Sequence, residues 1–321
     1  MIAAKLCGVN VLEFAIGLGP VLFKKKIGET DYAIRALPFG GQCAMEGEDE
    51  ASDNPRAFNN AAPWKRIVIS AAGVAMNFLM GFIIILCLYA PAEQIVVPRL
   101  DSFMENFTGG GEYGLQEGDV LREIDGYNIY QVGDVTAALN RGTNKPYYDI
   151  EVKRGDDIIE LENVKLEPHE YEENGKKVWY YGFYFTKITA TPFEKLKLTC
   201  STAVNFVRLV YTGLADMFTG RVALDELSGP IGITAVMSET AKKSMPNFWY
   251  MSALIAINLS VMNLLPIPAL DGGRIVFILF EMIFKRKPNR RIEGMIHVAV
   301  FFLLMGLMLV VAFNDIWKLV T

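Results

Sequence analysis

Histidine is nearly absent: of 321 residues only His169 and His297 carry an imidazole, and they stand far too distant in the chain to share a helical turn. This excludes a helix that presents two histidines, four residues apart, to a metal ion. Cysteine is sparse as well. Cys7, Cys43, Cys87 and Cys200 form no CxxC pair and no disulfide-like spacing, so a zinc ribbon and a disulfide framework are excluded and the four read as isolated, buried thiols. The start, Met1 to Val11, is interrupted by Lys5 and lacks the ordered basic, apolar and small-residue regions of a cleavable signal. Positive charge is not in excess either. Thirty-six acids stand against 31 bases, and Pro91 to Pro246 alone holds 24 acids against 16 bases, which argues against a nucleic-acid partner.

What the chain has in quantity is apolar surface. It is 52% hydrophobic with a mean hydropathy of +0.25, too apolar for an ordinary soluble domain. Three nearly uncharged stretches, Ile67 to Ala90, Asn247 to Leu270 and Gly294 to Asn314, meet the ~20-residue requirement for a spanning helix. Lys65 and Arg66 precede the first, while Lys285, Arg286, Lys287, Arg290 and Arg291 separate the second from the third. Basic loops stay in the cytoplasm. The sequence therefore predicts a multi-pass protein of the cell (inner or plasma) membrane, in contact with lipid, whose long 91–246 segment is extracytoplasmic.

Composition divides the chain further. Residues 1–64 form a membrane-proximal unit in which Asp31 to Met45 alternates and turns at Pro38-Phe39-Gly40-Gly41, a β-hairpin signal, followed by an acidic loop with little core-forming capacity, Glu46 to Asn60. Residues 65–92 are the first span. Its Ser70, Ala71, Ala72, Gly73 and Ala75, followed by Asn77, suit close helix packing and an interhelical hydrogen bond. Residues 93–190 carry a Gly-rich loop, short strands and the segment Gly114-Leu-Gln-Glu-Gly-Asp-Val-Leu-Arg-Glu-Ile-Asp-Gly126. That order resembles a PDZ domain, whose edge strand takes up an extended peptide by β-addition. Residues 191–246 hold apolar positions at helical spacing from Phe193 to Phe218, as in a helix lying along the bilayer or packed on the PDZ domain. Residues 247–284 are the second span, 285–293 a basic cytoplasmic loop, and 294–321 the third span with the C-terminus.

The most informative segment is Asn263-Leu-Leu-Pro-Ile-Pro-Ala-Leu-Asp-Gly-Gly-Arg274, which sets an acid and several helix breakers at the end of an apolar run. An Asp near hydrocarbon costs roughly 2.5 to 3.5 kcal/mol, so Asp271 marks a functional site or, read by itself, a helix cap at the end of the span.

Four segments in order, Ala3 to Val9 with Glu13 to Pro20, Leu37 to Gly41 with Met45 to Asp49, Leu227 to Ile233, and Asn263 to Arg274, resemble the site-2 protease family of bacterial intramembrane zinc proteases. The resemblance implies a membrane α-helical bundle with an inserted extracytoplasmic α+β PDZ domain and a membrane-proximal β-hairpin. It makes Asp271 the third ligand of a Zn²⁺ ion and places Asn263 at the substrate. Such zinc keeps one open position for a water that becomes nucleophilic near neutral pH. The family's other two ligands and its general base come from a His-Glu-x-x-His helix, which does not occur in this sequence. In the family that helix stands just before the Ala-Ala-Lys-x-x-Gly-Val stretch. Residues 1–64 then begin with its end, and the expectation is an N-terminally shortened chain of three spans, with a fourth span and the zinc helix encoded upstream of Met1. As written, such a chain binds zinc weakly and is inactive. The implied activity is cleavage of single-span membrane proteins, with the PDZ domain as filter or docking site for a peptide. The alternative is a noncatalytic PDZ-containing membrane adaptor or pseudoprotease.

Overall fold

The chain opens with a short helix, α1 (Ile2–Leu6), two long strands, β1 (Val11–Ile27) and β2 (Thr30–Met45), and the long helix α2 (Pro63–Tyr89). A sheet-rich region follows, with β3 (Gln94–Phe103), β4 (Val120–Ile124), β5 (Tyr127–Asn128), helix α3 (Val132–Arg141), β6 (Tyr147–Arg154), β7 (Asp157–Lys165), β8 (His169–Glu173), β9 (Lys176–Tyr180) and β10 (Phe183–Thr189). The remainder is helical: α4 (Pro192–Phe218), α5 (Pro230–Lys243), α6 (Met245–Leu264), α7 (Asp271–Phe284) and α8 (Arg290–Val320). This computed structural model describes residues 1–48, 52–104, 107–141, 145–173, 176–220, 229–286 and 290–320. They fall into two units, one of Met1–Met80, Leu214–Lys243 and Ile255–Thr321, the other of Gly81–Gly213 and Ser244–Leu254.

In the first unit, β1 and β2 pair antiparallel around a turn at Gly28 and Glu29. Glu13 to Ile16 pair with Asp31 to Ile34 and also with Gly41 to Ala44, so β2 folds back over β1 across residues 35–40. The turn signal at Pro38 to Gly41 marks this fold-back, whereas the hairpin tip lies ten residues earlier in the chain, at Gly28. Gly17 makes the crossing possible. Its φ is +89°, and a Cβ there would collide with the Leu37 carbonyl.

Among the described residues two helical segments, Pro63–Tyr89 and Gly294–Lys318, are long and apolar enough to cross a membrane, judged by length and composition. The stretch from Asn247 to Leu270 does not form one helix. It is helical as α6 to Leu264, irregular over 265–270, and helical again as α7 from Asp271. The Leu227 to Ile233 segment lies partly outside the described residues; its remainder begins α5, which is anchored from afar. Asp315, only 3% exposed near the end of α8, accepts the backbone N–H groups of Gly229 at 3.0 Å and Gly232 at 2.9 Å. Its carboxylate satisfies amides that a helix N-terminus leaves without partners. A Cβ at Gly229 would come within 2.6 Å of that carboxylate, which accounts for the glycines in this segment.

The second unit is built on a sheet ordered β10-β3-β4-β6-β7, with β5 beside β4 and α3 packed on it. Leu121, Ile124, Leu139, Ile150 and Val152 fill its core. The Gly-Asp pair of the PDZ-like segment has a direct structural role. Asp119, with no exposed surface, accepts the Gln116 N–H and both arms of the Arg154 guanidinium at 2.8 Å, while Arg154 also donates to the Gly114 carbonyl. The loop before β4 and the turn after β6 are thereby tied together. Helix α4 uses its polar face in the same way: Arg208 pairs with the buried Asp134 at 2.8 Å and lies 4.0 Å over the Tyr127 ring, and Thr202 donates to Gln131. Its other face leaves Phe193, Leu196, Val204 and Tyr211 exposed. Packing on the sheet unit is therefore observed for α4, and its apolar stripe remains available to a bilayer.

Replacing Asp119 with Ala strands the Arg154 guanidinium. The expected loss is about 3–5 kcal/mol, the usual result of removing one partner of a buried pair. Hydrogen exchange across β4 and β6 in the full chain measures it; Asp119→Asn, which keeps the acceptor oxygen, should lose less.

Candidate active site at a broken helix

Helix α6 ends because two prolines follow it. Pro266 and Pro268 supply no N–H and disfavour helical backbone at the residues before them, so the chain cannot continue past Leu264 and Leu265. The break is short and well determined. Leu265 N–H bonds to the Met262 carbonyl at 3.2 Å, Ile267 N–H to Leu265 at 2.7 Å, and Leu270 N–H to Ile267 at 3.1 Å. Ala269 sits in the left-handed region at φ +77°.

The chain re-enters helix at Asp271. Leu270 is the N-cap residue and offers no capping side chain, so Asp271 is the first residue of α7 and favourably placed against the positive helix end. The Gly272-Gly273 pair is required by packing: a Cβ on Gly272 would strike the Leu264 and Leu265 carbonyls, and one on Gly273 the Ile267 carbonyl. Close approach of α7 to the break follows from these two glycines. The Asp271 carboxylate is half-buried, and a Cβ on Gly73 of α2 would lie 3.7 Å from its Oδ2. Among the described residues it has no hydrogen-bond donor or ion-pair partner of its own. Asn263, also half-buried, occupies the last turn of α6, so the two site residues read from the sequence flank the same break.

Helix α2 meets this region through its small-residue face. Ser260 of α6, 3% exposed, donates to the Val74 carbonyl at 2.8 Å. That bond supplies the interhelical tie; among the described residues none comes from Asn77. Ser70, three residues before Gly73, is buried with its hydroxyl unpaired. At the far end of α7, Glu281 forms a buried pair with Arg66 of α2 at 2.8 Å.

One residue ties the start of α7 to the 46–60 segment by two contacts. Arg274, one turn after Asp271, pairs with Glu48 and lies 5.9 Å over the Phe58 ring. Its partner segment is ordered despite its polar composition. The Glu46 carboxylate accepts hydrogen bonds from Asn10 Nδ2 at 2.8 Å, Ser52 Oγ at 2.7 Å and Asn54 Nδ2 at 2.8 Å, while its carbonyl accepts the Phe58 N–H. The described part of the acidic loop, residues 46–48 and 52–60, is thus organised around one acid. Hydrogen bonds, not apolar packing, hold it, and hydropathy is blind to them.

The histidines do not complete a metal site. His169 lies in β8, in the other unit, and His297 on α8 accepts the Ala269 N–H through Nδ1 at 2.8 Å. Among the described residues no three His, Cys, Asp or Glu side chains come together as a metal ion requires. Among the described residues Asp271 has no companion donors, and the donor set there does not by itself fit zinc.

The hydrogen bonds to Glu46, from Asn10 first and then Ser52, hold its carboxyl below the ordinary range. A carboxyl lowered in this way stabilises the fold fully above its unfolded value and loses that contribution as pH falls through its folded value. Acidification below the ordinary carboxylate range should therefore loosen the amides of Asn10 and Phe58, as measured by hydrogen exchange corrected for its intrinsic pH dependence. In Glu46→Gln this extra loosening should be absent.

Comparison with known proteins identifies the family. The profile of peptidase family M50 matches residues 1–307. The Clostridium perfringens protein CPE1693, named as a candidate zinc metalloprotease, is 34% identical over 318 residues, covering 98% of this chain and 92% of that one. Regulator of sigma-W protease RasP of Bacillus subtilis is 29% identical over 410 residues, covering 99% and 94%, and zinc metalloprotease RasP of Bacillus licheniformis 27% over 409 residues, covering 99% and 94%. The match runs from the first strands through the Asn263 to Arg274 break and into α8, and the chain belongs to peptidase family M50.

Proposed function

We propose that this chain is the body of an intramembrane zinc protease of the site-2 type, acting on single-span membrane proteins, with Asp271 as its carboxylate ligand and Asn263 facing the substrate. One observation carries the reading. Asp271 is a half-buried acid without a donor of its own among the described residues, held at a helix break against the first span. An acid in that position is costly unless something cationic uses it.

Zinc would supply a water acidic enough to attack a peptide bond near neutral pH only where further donors join Asp271, since one carboxylate alone is a poor site. The residues of this chain do the placing. Backbone that leaves helical geometry at membrane depth needs a cavity lined by protein or water, and peptide hydrolysis needs that water too. The Asn263 side-chain amide, on the other rim of the break, can hydrogen-bond the backbone of an unwound substrate. On the extracytoplasmic side, β10 ends the order of its sheet, so one of its edges is open to an extended peptide in the manner of a PDZ domain.

A second reading, a membrane adaptor whose sheet unit binds peptides while the helices anchor it, draws on the lack of companion ligands around Asp271. One experiment separates the two. In the protein purified from the membranes of the cell that makes it, the protease reading expects bound zinc and cleavage of a single-span reporter. Asp271→Ala should remove both, with activity falling by more than the ~10–100-fold that outer-shell partners of a metal cost. Zinc-free protein, or cleavage unchanged in Asp271→Ala, would leave the adaptor.

A further inference from the structure

We propose that His297 is a positioning residue: its neutral imidazole holds the left-handed backbone at Ala269 and so fixes where Asp271 stands. The argument starts from the amides of the 265–270 break. Pro266 and Pro268 have none, and those of Leu265, Ile267 and Leu270 bond to nearby carbonyls. Ala269 is the remainder. Its N–H goes to a side chain on another helix, His297 Nδ1, at 2.8 Å. The break itself offers Ala269 no acceptor; the residue is exposed, so what the imidazole adds over water is an acceptor in a fixed place.

The bond also bears on conformation. Ala269 has φ +77°, a region that L-residues other than glycine enter only when their surroundings hold them there. His297 supplies that restraint from α8, and its ring is itself steadied by Phe277 of α7, with centroids 5.7 Å apart at 41°. An imidazole that accepts at Nδ1 carries its proton on Nε2, so the ring must be neutral. With Nδ1 turned to the Ala269 amide and Nε2 protonated, His297 cannot be a ligand in this arrangement. The residue therefore acts on Asp271, two positions beyond Ala269, through the backbone.

Its effect on catalysis rests on the protease reading, but its effect on the break does not, and the test keeps them apart. Residues 1–321 hold two histidines, so ¹⁵N labelling of histidine in this chain gives two ring systems, and the one that remains in His169→Gln is His297. The expected spectrum shows Nδ1 unprotonated and Nε2 protonated; a protonated Nδ1 overturns the proposal. Hydrogen exchange at Ala269 then compares variants. His297→Leu, which cannot accept, should speed exchange by roughly fivefold or more, the equivalent of one lost hydrogen bond. His297→Asn, whose Oδ1 stands near the place of Nδ1, should restore most of the protection. Equal exchange in wild type and His297→Leu, or no recovery in His297→Asn, overturns it as well. In reporter cleavage, His297→Leu should lower kcat more than it raises KM, and Ala269→Gly should soften that loss by relieving the left-handed strain. If exchange behaves as expected and wild-type protein cleaves nothing, the protease reading fails while the role of His297 in the break stands.

Discussion

The constraint on which this structure turns is the backbone of residues 265–270. An uninterrupted helix there would satisfy its own amides and carbonyls, and the two prolines forbid it. Every distinctive feature nearby answers that interruption. Gly272 and Gly273 let α7 restart against the carbonyls that α6 leaves behind, Ser260 bonds α6 to α2 just before the break, and His297 takes up the one amide the break does not satisfy locally. What emerges is a helix start whose first side chain, Asp271, projects where an unbroken helix would have carried on. The cost of the break and the placement of the acid are one feature seen from two sides.

The buried and half-buried acids of the chain make Asp271 stand out. Asp119 is engaged by Arg154 and a backbone amide, Asp134 by Arg208 and the amides of Tyr130 and Gln131, and Asp315 by the amides that open α5. Glu46 gathers three side-chain donors, Glu48 holds Arg274, and Glu281 holds Arg66. In each case the carboxylate is spent on fixing backbone or joining elements, the ordinary means by which a buried charge is made tolerable. Asp271, like the half-buried Glu123 and Glu194, has no such partner among the described residues, but it stands at the helix break. Its carboxylate is held in place without a hydrogen-bond donor or ion-pair partner of its own, which is why it carries the functional reading.

Much of this was legible in the sequence, though unevenly. The α2 and α8 helices were written in long apolar runs, and β6 and β7 in alternating strands around a Gly-Asp-Asp turn. Asp271 could be singled out as an acid at the end of an apolar run, whereas Asn263 was named only through the resemblance to the site-2 protease family. What periodicity could not reveal were roles defined by contact. His297 stands alone in an apolar stretch, and nothing about its spacing says that its partner is an alanine amide 28 residues earlier. The Glu46 to Asn60 loop has the composition of a flexible segment because composition does not record that Asn10 lies beside it. The path of β1 and β2 was misplaced for a related reason: Pro38 to Gly41 carries every mark of a turn, yet β1 runs between the two halves it separates.

Ala269 adds a final point about rigidity. A left-handed position in a loop is usually given to glycine, which enters that region freely and leaves it as freely. Alanine there is strained, with easier backbone states at negative φ, so the break holds its shape only while its contacts last. Those contacts come from α8 at His297 and, one turn beyond Asp271, from the 46–60 segment at Arg274. The break is thus fixed from both ends by elements remote in sequence, the arrangement suited to a side chain that must be held to a narrow position and not to a hinge. Asp271 is placed by the helices about it and by Glu48 together, through contacts from separate parts of the chain.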